Sequence, residues 1–271
     1  MIGNPVLRRE LLRGRIRQPR LTIIAIGSVA AMVLAFVYFQ VISSLLADPN
    51  PVVGRDAWRN VIWIQFALVC LVAPSITANA IAQEKEQQTW EMLLFTRLMP
   101  GEIIFGKLVA RMAYVTGLLL LGLPIAIFCA IHADRDGANS SAFISLGQFC
   151  GTYLTMFICG LFFATFGLFM SWLLSRTLYA IISSYTFVIF GLIIITFFIA
   201  GFLSSLTNDV TFLTHCPLMW FNPVLIIIEA ANPQQHLDTV FLIYGMIGYV
   251  LLSAIMIWRM IAGFRRFAYE P

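Results

Sequence analysis

Six stretches of the chain continue without a charged residue for long enough to cross a bilayer, and short polar segments separate them. They are Leu21–Leu46, Val61–Ala82, Met112–Ile131, Ala142–Ser175, Thr177–Leu206 and Thr239–Trp258. Each meets the need for about 20 apolar residues across a hydrocarbon core ~30 Å thick. In lipid the backbone must satisfy its own hydrogen bonds, and none of the six runs alternates polar and apolar residues with period two. Each is therefore expected to be α-helix rather than strand. The pattern predicts an all-α membrane protein with six transmembrane helices. The fourth and fifth runs exceed the minimum length, which predicts tilt or extension beyond the bilayer. Pro74 and Pro124 fall inside the second and third runs, where a kink would free a carbonyl that needs a neighbour.

Composition agrees with this pattern. The 271 residues are 60% hydrophobic and 11% charged, whereas soluble domains are about a quarter charged. The distribution of Lys and Arg then sets an orientation. With six spans and a cytoplasmic N-terminus, the inner segments hold Arg8, Arg9, Arg13, Arg15, Arg17, Arg20, Lys85, Arg97, Lys107, Arg111, Arg176, Arg259, Arg265 and Arg266. The outer segments hold Arg55, Arg59 and Arg135. This is the positive-inside asymmetry, and it places both termini in the cytoplasm. The net charge of +4 reads as topology and contact with anionic membrane lipid, not as nucleic-acid binding.

The polar segments divide the chain. Residues 1–20 form a basic cytoplasmic segment, either an interfacial helix or a solvated tail. Residues 21–258 are the six-span domain, and the first run is too long for a signal-peptide core, so it is expected to be a retained span. Residues 83–100 form a cytoplasmic loop. Residues 47–60 are external and turn-rich, and the loop 132–141 is short, acidic and polar. The external loop 207–238 contains an apolar but proline-broken stretch, Pro217–Ile228, too short to cross and expected to be a re-entrant or interfacial helix. Residues 259–271 are expected to be a cytoplasmic tail. In the fourth run, Gly147 and Gly151 form a G-x-x-x-G pair that suits close helix packing, within the chain or between subunits.

Chemistry within the spans is sparse. Gly101–Lys107 has the spacing of a phosphate-binding loop, but Leu108 replaces the required Ser or Thr and no strand precedes it. The segment reads instead as the start of the third helix, with Pro100 near its first position and Glu102 at the favourable end of the dipole. His132, His215 and His236 are expected in external loops as solvated side chains. Cys70, Cys129, Cys150 and Cys159 lie in spans as small apolar residues, and no spacing suggests a metal. No charge lies at mid-membrane, where ion-coupled carriers place one, so a secondary transporter is disfavoured. Lys107 and Arg111, four apart at the cytoplasmic mouth of the third helix, are expected to snorkel to the interface. The chain shows no catalytic residues, no nucleotide motif and no proton relay.

The loop 83–100 is the exception. Gln83-Glu84-Lys85-Glu86-Gln87-Gln88-Thr89-Trp90-Glu91-Met92-Leu93-Leu94-Phe95-Thr96 packs charges and amides beside an apolar helix face. Trp90, Leu93 and Leu94 fall at i, i+3 and i+4 on one side. Glu84, Glu86 and Glu91 offer carboxylates to a basic partner. A soluble partner that changes shape could push here and tilt the second and third spans. On these residues alone, a solvated loop resting on headgroups is an equal reading.

The stretch Ala80–Thr96, followed by Glu102-Ile103-Ile104-Phe105-Gly106-Lys107-Leu108, resembles the signature of ABC type-2 exporter permeases. That pattern is roughly I-A-x-E-[RK]-E-x-G-T-[LW]-E-x-L-L-x-T-P, a short gap, then E-[IL]-[IVL]-x-G-K. Asn4–Leu11 is similar to the family's amphipathic N-terminal segment, and Phe221-Asn222-Pro223 to its external helical hairpin. Gln88 departs from the usual Gly, which predicts a less sharply turned loop. Arg97 replaces the common Pro, and Met99 a frequent Ser cap.

The resemblance implies a non-catalytic permease subunit that couples ATP hydrolysis in separate cytoplasmic ABC ATPase subunits to substrate movement. ATP and Mg would be bound by that partner, with no cofactor in this chain. It further implies a second permease subunit, identical or not, and a bacterial cytoplasmic (inner) membrane. Glu84, Glu86, Thr89, Trp90, Glu91, Leu93, Leu94 and Thr96 would form the ATPase-coupling helix between spans 2 and 3. The alternative is a non-catalytic membrane scaffold or sensor that docks a cytoplasmic protein through the same loop.

Overall fold

The computed structural model describes residues 20–48, 50–88, 99–134, 144–190, 222–231 and 239–269. All regular structure among them is helical: α1 (Arg20–Ala47), α2 (Pro51–Thr77), α3 (Ala82–Glu86), α4 (Pro100–Ala133), α5 (Leu146–Leu173), α6 (Thr177–Ile189), α7 (Pro223–Ala231) and α8 (Thr239–Tyr269). Four of these runs are long and apolar enough to span a membrane: α2 with its continuation into α3, α4, α5, and the Leu242–Gly263 part of α8. Ala31–Ala47 of α1 and Thr177–Ile189 are apolar but shorter. The second half of the fifth predicted run, most of the 207–238 loop and residues 1–19 lie outside the described residues.

Several boundaries differ from the expected ones. The loop 47–60 shrinks to three residues, because Asn50 caps α2 by accepting from Val52 N–H at 3.1 Å and Pro51 stands at the first helical position. Arg55, Asp56 and Arg59 then fall in the opening turns of α2, where Arg59 and Asp56 pair at 3.1 Å in the open. Charge-free length measures how far lipid extends, not how far a helix does. Likewise α8 continues to Tyr269, so most of the expected tail 259–271 is helical. Ser145 caps α5 through Gln148 N–H at 3.1 Å. The α4 start is as read: Glu102 reaches back to Met99 N–H at 3.2 Å, half of a capping box without its Ser. Gly101–Leu108 is continuous helix, which settles the phosphate-loop lookalike.

α2 is the central helix. It packs on α4 and α5 and also touches α1, α6 and α7, while α5 packs in turn on α6, α7 and α8. The core is aliphatic and aromatic, with Trp58, Ile62 and Val69 of α2 and Met156, Phe163 and Leu168 of α5 all buried. Trp58 meets the Phe149 ring at 5.1 Å, and Phe162 meets Tyr249 of α8 at 4.8 Å. One buried polar link crosses it: Gln65 Nε2 donates to Leu119 O at 2.9 Å, and Gln65 Oε1 accepts from Tyr153 OH at 3.2 Å. The faces of α1, α6 and α8 instead expose Phe36, Phe39, Ile182 and Trp258, as lipid-facing surfaces do.

Both in-span prolines have tyrosine neighbours. Pro74 and Pro124 remove the N–H groups that would bond Cys70 O and Leu120 O. The adjacent carbonyls receive hydroxyls from flanking helices: Tyr185 of α6 donates to Leu71 O at 2.8 Å, and Tyr38 of α1 donates to Leu121 O. The partners expected at the freed carbonyls thus appear one residue further along.

Of the two roles open to Gly147 and Gly151, packing within the chain finds no neighbour, since a Cβ on either would meet nothing within 4 Å among the described residues. The close-packing glycines of α5 are Gly160, against Val69 and Val115, and Gly167, where a Cβ would overlap Thr77 Oγ1 and lie 3.1 Å from Cα and O of Pro74. Other local readings also shift. Cys150 is exposed, whereas Cys70, Cys129 and Cys159 are buried as expected. His132 is not a solvated loop residue. It sits in the last turn of α4, buried against Gly54 of α2.

Replacing Gly167 by Val should cost about 1–3 kcal/mol, because backbone atoms of Pro74 cannot yield. Gly151→Val should be near neutral in the monomer. Thermal unfolding of the two variants in detergent, followed by tryptophan fluorescence, checks the contrast.

Candidate functional site

The helix ends sort into two groups. At one end of the bundle meet the C-terminus of α2, all of α3, the N-terminus of α4, the C-terminus of α5 and the N-terminus of α6. α8 joins them there: Ile261 lies 3.8 Å from a Cβ on Gly101, and a Cβ on Gly263 would overlap the Trp172 ring. Lys85, Lys107, Arg111, Arg176 and Arg259 all belong to this end, whereas Arg55 and Arg59 belong to the other. The basic asymmetry read from sequence therefore reappears as geometry.

At the basic end the chain makes an elbow. α2 stops after Thr77, residues 78–81 turn, and α3 runs over Ala82–Glu86. The elbow is held on two sides. From α4, Lys107 Nζ donates to Glu84 Oε1 at 2.7 Å and to Ala80 O at 2.9 Å. The Lys107 side chain is 2% exposed and that of Glu84 29%. Lys107 therefore does not snorkel; it turns inward and ties the second turn of α4 to the elbow. Arg111, one turn on, is also buried.

From the other side come the end of α5 and the start of α6. Ser171 Oγ accepts from Ile81 N–H and Ala82 N–H, both at 2.8 Å. Lys85 Nζ donates to Trp172 O. Thr177 donates to Glu86 Oε2 twice, from its hydroxyl at 2.6 Å and its amide at 3.3 Å. Both charged groups lie past the apolar run of α2. The Thr177 bonds hold the Glu86 carboxyl below the usual carboxylate range, with a smaller contribution from the Arg176 charge. Partial burial pulls the Lys85 ammonium below the usual lysine range.

α3 ends in a sharp turn. Gln88 follows Gln87 with φ of 56°, a left-handed conformation that normally falls to glycine. The loop is as sharply turned as a glycine would make it, contrary to the expectation from the Gly-to-Gln departure. Of the eight candidate coupling residues, the structure places Glu84 and Glu86 in the elbow. Thr89, Trp90, Glu91, Leu93, Leu94 and Thr96 lie outside the described residues. Sequence reading missed Ser171, Trp172 and Thr177, which lie 85 or more positions away, and misassigned Lys107. The short Ser175-Arg176-Thr177 link marks an expected cytoplasmic turn in the sequence, but nothing local singles out Ser171.

The arrangement has no reacting groups at its centre. No group of three or more His, Cys, Asp or Glu able to hold a metal occurs among the described residues. What it can do is bear load, because one short segment is bonded to the ends of α4, α5 and α6.

A family model described as "ABC-2 family transporter protein" matches residues 26–269. The chain is also similar to two curated relatives, both named "Probable multidrug ABC transporter permease YbhR", from Escherichia coli K12 and Escherichia coli O157:H7. Each is 30% identical over 149 residues, which is 55% of this chain and 36% of the relative. The chain thus spans about a third of the length of these relatives.

Two outcomes are expected at the elbow. Lys107→Met removes the 2.7 Å ion pair with Glu84 and should destabilise the protein by about 3 kcal/mol, the low end for a broken buried pair because Glu84 is partly exposed. Adding Glu84→Gln should restore at least half of that loss; denaturant unfolding of the single and double variants measures it. Gln88→Gly should stabilise by about 0.5–1 kcal/mol, the ~1–2 kcal/mol of left-handed strain relieved less the entropic cost of glycine, read in the same experiment.

Proposed function

The chain belongs to the ABC-2 family of transporter proteins, and from that premise we propose that it is a permease subunit driven through its elbow by separate ATPase subunits. The reading has six spans, with α1 and α6 completing the four longer helices, and both termini and the elbow in the cytoplasm. Residues 83–100 form the coupling loop. In this reading Glu84 and Glu86 fix the loop to the bundle, while Trp90, Leu93 and Leu94 offer an apolar face to the partner, with Thr89, Glu91 and Thr96 beside it. ATP and Mg belong to the partner, and this chain performs no hydrolysis.

A second permease subunit and surrounding lipid complete the assembly, in a bacterial inner membrane. Export is the direction taken from the resemblance, and the relatives' name suggests small-molecule cargo of the multidrug kind.

One observation carries the proposal. The polar segment that the sequence singles out is bonded through Ser171, Lys107 and Thr177 to three helices at once. A loop that merely rests on headgroups has no need of the buried ties to Ser171 and Lys107. A partner that closes on ATP binding and presses on this segment would tilt the flanking helices α2 and α4.

The test is hydrolysis by the assembled transporter. ATPase subunits copurified with the permease should lose most of their permease-dependent change in rate when Trp90 is replaced by Ala, with assembly intact. Membrane-impermeant thiol reagents should fail to label a Thr89→Cys variant from outside in a background with Cys150→Ser and Cys216→Ser. Unchanged hydrolysis, or labelling from outside, would sink the reading. Copurification of no ATPase would favour the scaffold.

A further inference from the structure

α3 has no cap of its own. Ile81 at its N-cap is apolar and makes no side-chain cap bond. Its two leading amides, Ile81 N–H and Ala82 N–H, are taken by Ser171 Oγ from the last turn of α5, 90 and 89 positions away. α6 shares the defect. Its N-cap, Arg176, makes no side-chain cap bond either, and the Thr177 amide goes instead to Glu86 Oε2. Helix-start amides are ordinarily capped by the residue just before them.

Here the caps are exchanged. α5 caps α3, and α3 caps α6. Thr177 Oγ1 adds a second bond to the same carboxylate oxygen, and Lys85 reaches back to Trp172 O. The elbow cannot slide past the α5–α6 turn without exposing helix-start amides on both segments at once.

We propose that the α5–α6 turn is a second transmission element. Through Ser171 and Thr177, displacement of the elbow carries α5 and α6 with it, and not only the flanking helices α2 and α4. Trp172, between the two capping contacts, packs its ring on Gly263, so α8 is reached as well. Ser171 and Thr177 are positioning residues, and neither needs to touch the partner. The inference rests on the coupling reading above.

The experiment uses the full chain assembled with its ATPase subunits in lipid nanodiscs. The readouts are the permease-dependent change in ATP hydrolysis and the melting temperature of the complex. Thr177→Ala should reduce that change by about fivefold, the factor for one hydrogen bond of ordinary net strength, and Ser171→Ala, which loses two bonds, by more. Thr177→Ser keeps both donors and should behave as wild type.

A Glu86→Cys/Thr177→Cys pair, joined by a short bis-methanethiosulfonate that forms a reducible disulfide with each thiolate and releases sulfinate, in a background with Cys150→Ser and Cys216→Ser, tests rigid motion directly. Hydrolysis retained with the cross-link in place supports movement as one body, and hydrolysis abolished by it and restored by reductant overturns the proposal. If Ser171→Ala melts the complex, Thr177→Ala and the cross-link decide, since Thr177 is at the surface. Trp90→Ala separates the two ideas. If that variant leaves hydrolysis unchanged, the coupling reading itself fails and this inference falls with it. If it lowers hydrolysis while Ser171→Ala and Thr177→Ala do not, the transmission route alone is overturned.

Discussion

A bilayer offers a helix end no hydrogen-bond partner, so every amide or carbonyl freed at a break in the helical ladder must find one in the protein. Leaving such a group unpaired in an apolar setting costs several kcal/mol. Much of the structure follows from meeting that demand with side chains borrowed across the fold. Ser171 serves the buried start of α3. Thr152 Oγ1 donates to Ala230 O at the end of α7, at 2.7 Å. Tyrosine hydroxyls attend the carbonyls beside both prolines. Elsewhere the hydroxyls of Thr116, Thr155, Thr165, Ser184 and Ser253 turn back to the carbonyl four residues earlier and so remove themselves from the apolar interior.

The same demand explains why a lysine is buried at the basic end. An ammonium withdrawn from water is stabilised only where its charge and its donors are both met. Lys107 meets a carboxylate and a turn carbonyl that α2 leaves open when it stops at Thr77. The pair therefore does two things: it neutralises Lys107, and it completes the backbone of residues 78–81. The chemistry that makes the elbow stable also makes it continuous with α4.

How much of this was legible in the sequence depended on distance along the chain. Helix cores were legible, because lipid imposes a simple length rule on apolar runs. Their ends were less so, since Arg55 and Arg59 extend α2 into water without breaking it. The polar segment around Glu84 stood out, and its resemblance to a permease signature agrees with the family match. Its docking partners did not stand out. Ser171 is one hydroxyl among several in an apolar run, and nothing local marks it as the cap for a helix 90 residues earlier. Lys107 and Arg111 at i and i+4 near a polar boundary fit snorkelling equally well, and tertiary contact with Glu84 decides otherwise. Gly147 and Gly151 carry the familiar packing spacing yet face open space, while Gly160 and Gly167, seven apart, receive α2. Spacing reports which residues share a face, not which face a neighbour occupies.

The position of the elbow within the bundle matters as much as its bonds. α2 and α5 are the most enclosed helices, and glycine brings their backbones into contact near Pro74. α1, α6 and α8 turn large apolar side chains outward, where fluid lipid would yield to them. A load applied to a peripheral helix would largely be absorbed by that lipid. The elbow instead continues α2 and is capped by α5, so under the proposed coupling a load would enter at the closest-packed pair. Protein interiors of this density shift as units rather than deform locally. The most direct route from a small displacement at the basic end to a rearrangement of the whole bundle therefore runs through the two helices that share Gly167 and Ser171.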